Sequence, residues 1–196
     1  MRRTTGRLAA RALFALLALT VEEAGAAEYS GPVWGGSGGT RSYNLDCGSS
    51  GVLVGVYGKT GSWIDQIGLT CRSVAANGTL GSEFTRGPVG GTGGSVKSVK
   101  CKSGEVVGGI ESWSGSYVEK IRLQCDKWRP EFKQIDYLAP LNSFLFGGLG
   151  TTGIFGRTPE HNPMVRCPRD KVGKALRGKH GAYVDSMKFV CDAYNQ

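Results

Sequence analysis

Two stretches of the chain alternate apolar and polar residues with a period of two. Ile67, Leu69 and Cys71 alternate with Gln66, Gly68 and Thr70, and Ile121, Leu123 and Cys125 alternate with Lys120, Arg122 and Gln124. That period puts one set of side chains on each side of an extended backbone, the signature of a half-buried β-strand. The valine-rich run VLVGVYG just upstream ends in the turn-prone KTGS, so the two segments are expected to pair as a hairpin. The stretch KVGKALRGKHG has a composition compatible with a helix. It aligns with hairpin segments elsewhere in the chain, however, and internal glycines at 173 and 178 disfavour a helix, so the pattern predicts an all-β protein.

The pattern occurs three times. Cysteines stand at 47 and 71, 101 and 125, and 167 and 191, each pair 24 positions apart. Superposing the three segments without gaps aligns Val52, Val106 and Val172; Val56, Ile110 and Leu176; Ile64, Val118 and Val184; Ile67, Ile121 and Met187; and Leu69, Leu123 and Phe189. This is an internal repeat, with units at approximately 33–87, 88–140 and 141–196. One small sheet cannot bury its apolar face alone, so three equivalent sheets are expected to turn those faces toward a common axis and form a three-sided prism. The repeat singles out Cys47–Cys71, Cys101–Cys125 and Cys167–Cys191 as disulfides, each contributing about 3 kcal/mol in the chain-entropy model. Zinc chemistry is disfavoured: there is no Cys-x-x-Cys, and the two histidines, His161 and His180, lack ligand partners at metal spacing.

The first residues stand apart from this pattern. An arginine-rich start precedes the apolar run ALFALLALTV and small residues near Ala27, which reads as a secretory signal peptide over 1–27. The run is about half the ~20 residues of a spanning helix, so membrane insertion is not expected. Residues 28–196 then form one domain in an oxidising, extracellular setting. The leader holds Arg2, Arg3, Arg7 and Arg11 against Glu22 and Glu23, so the remainder keeps a mild basic excess. Its Lys and Arg are scattered singly, which speaks against a nucleic-acid interface and leaves weak attraction to anionic surfaces. Asn77-Gly78-Thr79 is either a glycosylation sequon or an Asn-Gly turn. The aromatic-rich segment from Asp126 to Phe146 is expected as strand and core.

Glycine clusters upstream of each unit, as WGGSGG, VGGTGG and FGGLGTTG, where backbone must adopt positive φ or approach something closely. Each unit also carries Gly-x-aromatic-apolar-acid: Gly61, Ser62, Trp63 and Asp65; Gly115, Ser116, Tyr117 and Glu119; Gly181, Ala182, Tyr183 and Asp185. Strand parity places Asp65 on the face of Ile67 and Leu69, where an unpaired buried carboxylate is prohibitively costly, so the acid is expected at the open end of its sheet. There a carboxylate accepts hydrogen bonds from neighbouring hydroxyls, amides donate others, and an aromatic ring supplies a flat face, a combination suited to a sugar.

The pairing of GGxGG loops with loops such as YGKTGSWIDQIGL resembles the jacalin-related lectins, and three copies of both features resemble their griffithsin-like three-repeat members. The resemblance spans residues 33–194. It implies a β-prism I fold of three Greek-key four-stranded sheets with pseudo-threefold symmetry, and metal-independent binding of mannose, glucose or galactose without a cofactor. It implies as site residues the acids Asp65, Glu119 and Asp185, the loop residues Gly61 to Trp63, Gly115 to Tyr117 and Gly181 to Tyr183, and, from the glycine loops, Gly38, Gly39, Gly93, Gly94 and Gly150. Expected partners are glycans or glycoproteins, including cell-surface or cell-wall polysaccharide, and a homodimer formed by strand exchange stays open. Two departures stand out. Glu119 replaces Asp, moving its carboxylate by more than ~1 Å, and the glycine loop upstream of the third unit reads GGLGTTG, which suggests a reshaped third site.

The cystine pattern also resembles vitelline membrane outer layer protein I, which implies the same prism in a structural coat or wall role. A glycosidase is disfavoured, since it needs two carboxylates roughly 5 to 9.5 Å apart on one bond, whereas threefold symmetry spreads these acids over three sites.

Overall fold

A computed structural model describes residues 27–136, 142–147 and 160–194. The signal-peptide reading, apart from Ala27, and Gly150 lie outside the described residues. The described chain forms thirteen strands and no helix: β1 (Tyr29–Gly35), β2 (Arg41–Asp46), β3 (Gly51–Thr60), β4 (Ile64–Val74), β5 (Leu80–Gly90), β6 (Ser95–Lys100), β7 (Glu105–Ser114), β8 (Val118–Arg129), β9 (Gln134–Asp136), β10 (Asn142–Gly147), β11 (Glu160–Arg166), β12 (Lys171–His180) and β13 (Val184–Ala193).

These strands make three antiparallel sheets, ordered β5-β4-β3-β6, β10-β8-β7-β11 and β1-β13-β12-β2, with β9 added beside β8 in the second. In each, the central hairpin comes from one cysteine-bounded repeat, and the flanking pair closes a Greek key in which the last strand returns beside the first. The third sheet combines β12 and β13 with β1 and β2, so the two ends of the chain are hydrogen-bonded into one sheet. KVGKALRGKHG is the strand β12.

All fifteen aligned apolar positions of the repeat are at most 1% exposed. They line the inner faces, where β3, β7 and β12 approach one another around the axis. The segment after the second repeat supplies core as well, through Trp128, Ile135 and Phe146, although Phe132 points outward at 66% exposure. The three cystines pair as the repeat requires, 47 with 71, 101 with 125 and 167 with 191. Asn77 sits exposed in a tight turn, where its side-chain oxygen accepts from Thr79 N at 3.0 Å and Gly78 takes φ +84°.

A second threefold feature closes the end of the prism opposite the hairpin tips. The backbone N–H of Cys47, Cys101 and Cys167 donates to the carbonyl of Lys174, Val54 and Gly108, respectively, at 2.8 to 3.0 Å. At Lys174 the side chain adds to this closure: its buried ammonium donates to the carbonyls of Gly48, Ser49 and Gly51 at 2.7, 2.9 and 2.6 Å. Burial pushes its pKa down, against the opposing pull of Asp46 and Asp192.

Candidate functional site

Each hairpin tip is built the same way. The N–H of the tip glycine donates to the carbonyl two residues on, Gly61 to Trp63 at 2.9 Å, Gly115 to Tyr117 at 3.0 Å and Gly181 to Tyr183 at 3.0 Å. One residue later the strand pairing slips. Thr60 pairs with Ile64 but Lys59 pairs with Gln66, leaving Asp65 without a partner on β3. The same slip leaves out Glu119, between Ser114–Val118 and Trp113–Lys120, and Asp185, between His180–Val184 and Lys179–Ser186. All three acids are therefore β-bulge residues, and a bulge re-aims its side chain relative to the regular alternation. The sequence holds a trace of this. Ile64 and Ile67 are both fully buried yet three positions apart, which a strict period of two forbids.

Two of the re-aimed carboxylates, Asp65 and Asp185, lie between two stretches of bare backbone. For Asp65 these are the tip at Gly61 and the loop at Gly93 and Gly94; a methyl group on Gly61 would lie 3.5 Å from its Oδ2, and one on Gly93 or Gly94 would lie 2.5 Å from Oδ1 or Oδ2. Asp185 sits likewise between Gly181 and Gly38–Gly39, with corresponding distances of 3.6, 2.5 and 2.9 Å. Gly94 and Gly39 take φ of +69° and +78°, so a side chain there meets backbone strain as well as the acid. Asp65 and Asp185 are 7% and 5% exposed, make no ion pair among the described residues, and Oδ2 of Asp185 has no hydrogen-bond partner. Asp65 and Asp185 thus lie beside the hairpin tips, yet they are nearly buried there and not open to solvent as the cost of an unpaired buried carboxylate led one to expect.

The glycine loops serve the acids in a shifted order. WGGSGG, upstream of the first unit, cradles Asp185 of the third, and VGGTGG, upstream of the second, cradles Asp65 of the first. The carbonyls of Asp185 and Asp65 also accept from Gly36 N at 2.9 Å and Gly91 N at 2.8 Å. Gly147, the first glycine of the third run, follows the same rule. A methyl on Gly147 would lie 2.5 Å from the Glu119 carbonyl, and Gly147 pairs with Lys120. Gly147 thus brings the start of the altered GGLGTTG run, whose later residues lie outside the described ones, beside the second tip and not the third, while Asp185 of the third tip lies among Gly38, Gly39 and Gly181.

The loops also tie the tips together. Gly36 packs on the carbonyl of Ser116 and Gly91 on that of Ala182, so a loop cradling one acid rests on a neighbouring sheet's tip. Lys59 Nζ and Gln66 Nε2 hold the VGGTGG loop from below, donating to Thr92 O at 3.0 Å and Gly91 O at 3.2 Å; nothing in the sequence pattern pointed to these two. At the centre, Trp63, Tyr117 and Tyr183 meet, with centroid separations of 5.2 Å (Trp63–Tyr117), 4.7 Å (Trp63–Tyr183) and 5.0 Å (Tyr117–Tyr183). The rings expected as one flat face per site instead form a single half-buried trio, around which the three acids are set. Ser62, Ser116 and Ala182 are exposed at the tips. Glu119 is 6% exposed, and burial raises its pKa, opposed by Lys120.

No protein-family model and no curated protein sequence matches the chain. Solved structures do. A Malaysian banana lectin superposes with a TM-score of 0.54 at 20% identity, covering 85% of this chain and 99% of its own. A mannose-binding jacalin-related lectin from Ananas comosus gives 0.53 at 20%, with the same coverage, and single-chain jacalin gives 0.55 at 11%, covering 87% and 98%. The fold is the β-prism of the jacalin-related lectins.

Proposed function

We propose that this chain is a secreted, non-enzymatic lectin that binds neutral hexoses of the mannose or glucose type, through Asp65 with Gly61, Gly93 and Gly94, and through Asp185 with Gly181, Gly38 and Gly39. The observation that carries this reading is Asp185. Its Oδ2 is buried without a hydrogen-bond partner, and a methyl group on Gly39 or Gly181 would stand 2.9 or 3.6 Å from it, so only side-chain-free backbone separates it from the surface of the tip. A carboxylate in that state has unused acceptor capacity, which two adjacent sugar hydroxyls satisfy without a metal or cofactor. Asp65 repeats the glycine setting, among Gly61, Gly93 and Gly94. The Ananas comosus neighbour is described as mannose-binding and a Morus nigra neighbour as mannose-specific, which supports the same ligand class here.

The second tip does not count as a hexose site in this reading, since Glu119 is longer and Thr151 aligns with Gly39 and Gly94 of the other glycine runs. Three disulfides agree with an oxidising, extracellular location after removal of residues 1–27. A glycan array tests the proposal: binding to terminal neutral hexoses, lost in the Asp65→Ala, Asp185→Ala double variant, is expected. Absence of neutral-glycan binding, with retention in an extracellular layer that free monosaccharide does not displace, would favour the coat-protein role instead.

A further inference from the structure

On the outward face of the second sheet, next to Glu119, five side chains from three strands form a cluster. Lys120 Nζ lies 4.7 Å and Arg122 Cζ 5.1 Å from the ring centroid of Trp113, and the His161 ring sits 4.9 Å from the same indole at 32°. Glu111, 9% exposed, forms an ion pair with Arg122 Nη1 at 2.9 Å and meets His161 Nε2 at 2.5 Å. One buried carboxylate thus fixes Arg122 and His161, whose side chains remain 43% and 53% exposed. Lys120 has no ion pair among the described residues.

The cluster is specific to this sheet. The positions matching Trp113 are Lys59 and Lys179, those matching Lys120 are Gln66 and Ser186, and those matching Arg122 are Gly68 and Lys188. The sheet that departs from the neutral-sugar pattern at Glu119 and Thr151 is the one in which an indole gathers two cations. An aromatic face attracts both and offsets their mutual repulsion, and a guanidinium fork beside an ammonium is suited to a planar carboxylate or a sulfate.

We propose that this face binds an anionic group, a carboxylate or a sulfate, carried on a glycan and bridging Lys120 and Arg122, with Trp113 as the positioning residue. Anion recognition rests on the cluster alone; the assignment of the carrier as a saccharide rests on the lectin reading. A ligand that reaches this face can do so beside the tip loops, because β7 and β8 run from the cluster directly into Gly115 and Glu119.

The test is calorimetric titration of the full chain at physiological salt with trigalacturonate, with its methyl ester, and with a sulfated galactan hexasaccharide that carries no carboxylate; the first and last separate carboxylate from sulfate. The acidic sugars are expected to bind at least tenfold more tightly than the ester. Lys120→Gln is expected to weaken them at least fivefold, Lys120→Arg to restore them, and Trp113→Leu to weaken them although both cations remain, with Trp113→Phe as the variant to use should the first not fold. The Asp65→Asn, Asp185→Asn double variant is expected to keep acidic-sugar binding while losing neutral hexoses, which separates this proposal from the lectin reading. Equal weakening by Lys120→Gln and by the control Lys179→Gln would mean diffuse attraction to a basic protein and would overturn the proposal, as would loss of acidic-sugar binding in the double aspartate variant.

Discussion

A methyl group on Gly93 would stand 2.5 Å from Oδ1 of Asp65, and nothing but that aspartate lies within 4 Å of it; Gly38 and Asp185 repeat the relationship at the same distance. Neither glycine is in the positive-φ region, so alanine meets no backbone strain and only the carboxylate oxygen obstructs it. Gly93→Ala and Gly38→Ala are therefore expected to keep the melting temperature within a few degrees, since such effects stay near 1 kcal/mol, while each lowers hexose affinity at its own site at least tenfold. Thermal melts paired with calorimetry check this, and a large loss of stability with unchanged affinity would contradict it.

The aromatic trio is a second point of leverage. Trp63 and Tyr183 meet edge to face at 4.7 Å, a geometry that contributes about 0.5–1.5 kcal/mol beyond area burial. A double-mutant cycle of Trp63→Leu and Tyr183→Leu in chemical denaturation is expected to return a coupling energy in that range. Coupling near zero would mean that the tips are independent.

Glu119 gives a pH signature. Its burial raises the folded pKa above the ordinary value of 4.5, so the charged form opposes folding. This penalty is absent below the unfolded pKa and grows as pH rises through the folded one. Glu119→Gln is expected to be more stable than the parent at pH 7 and equal to it near pH 4. Urea denaturation at both values checks the sign.

Lys174 separates stability from binding. Removing the buried ammonium takes a donor from three carbonyls, of which Gly48 O keeps its bond from Gly51 N, at a cost of roughly 1–3 kcal/mol. Lys174→Met is expected to lose that much in denaturant titration while hexose affinity is unchanged, because Lys174 lies near the start of β12 and the Asp185 tip follows its end.

The fold was legible because its signals are local and repeated: the 24-residue cysteine interval, the period of two, and apolar positions that all prove buried. The acids were legible as a set, but their exact setting was not. Parity put Asp65 on the face of Ile67 and Leu69, and the cost of burying it pointed to the rim, but neither could show the bulge, which appears only as the odd spacing of Ile64 and Ile67. Nor could proximity in the chain assign the glycine loops. Gly38 and Gly39 reach Asp185 because β1 pairs with β13 and β2 with β12, a closure of the two chain ends that no local pattern encodes. The meeting of Trp63, Tyr117 and Tyr183 was hidden for the same reason, since three-body contacts on an axis leave no trace within any single repeat.

The whole functional reading depends on two nearly buried carboxylates, Asp65 and Asp185, set against glycine backbone. Calorimetric stoichiometry with methyl α-mannoside measures this most directly. Two sites per chain are expected in the parent, one in Asp65→Asn or Asp185→Asn, and none in the double variant. Binding that survives in the double variant, or a parent that binds no neutral hexoside, would contradict it.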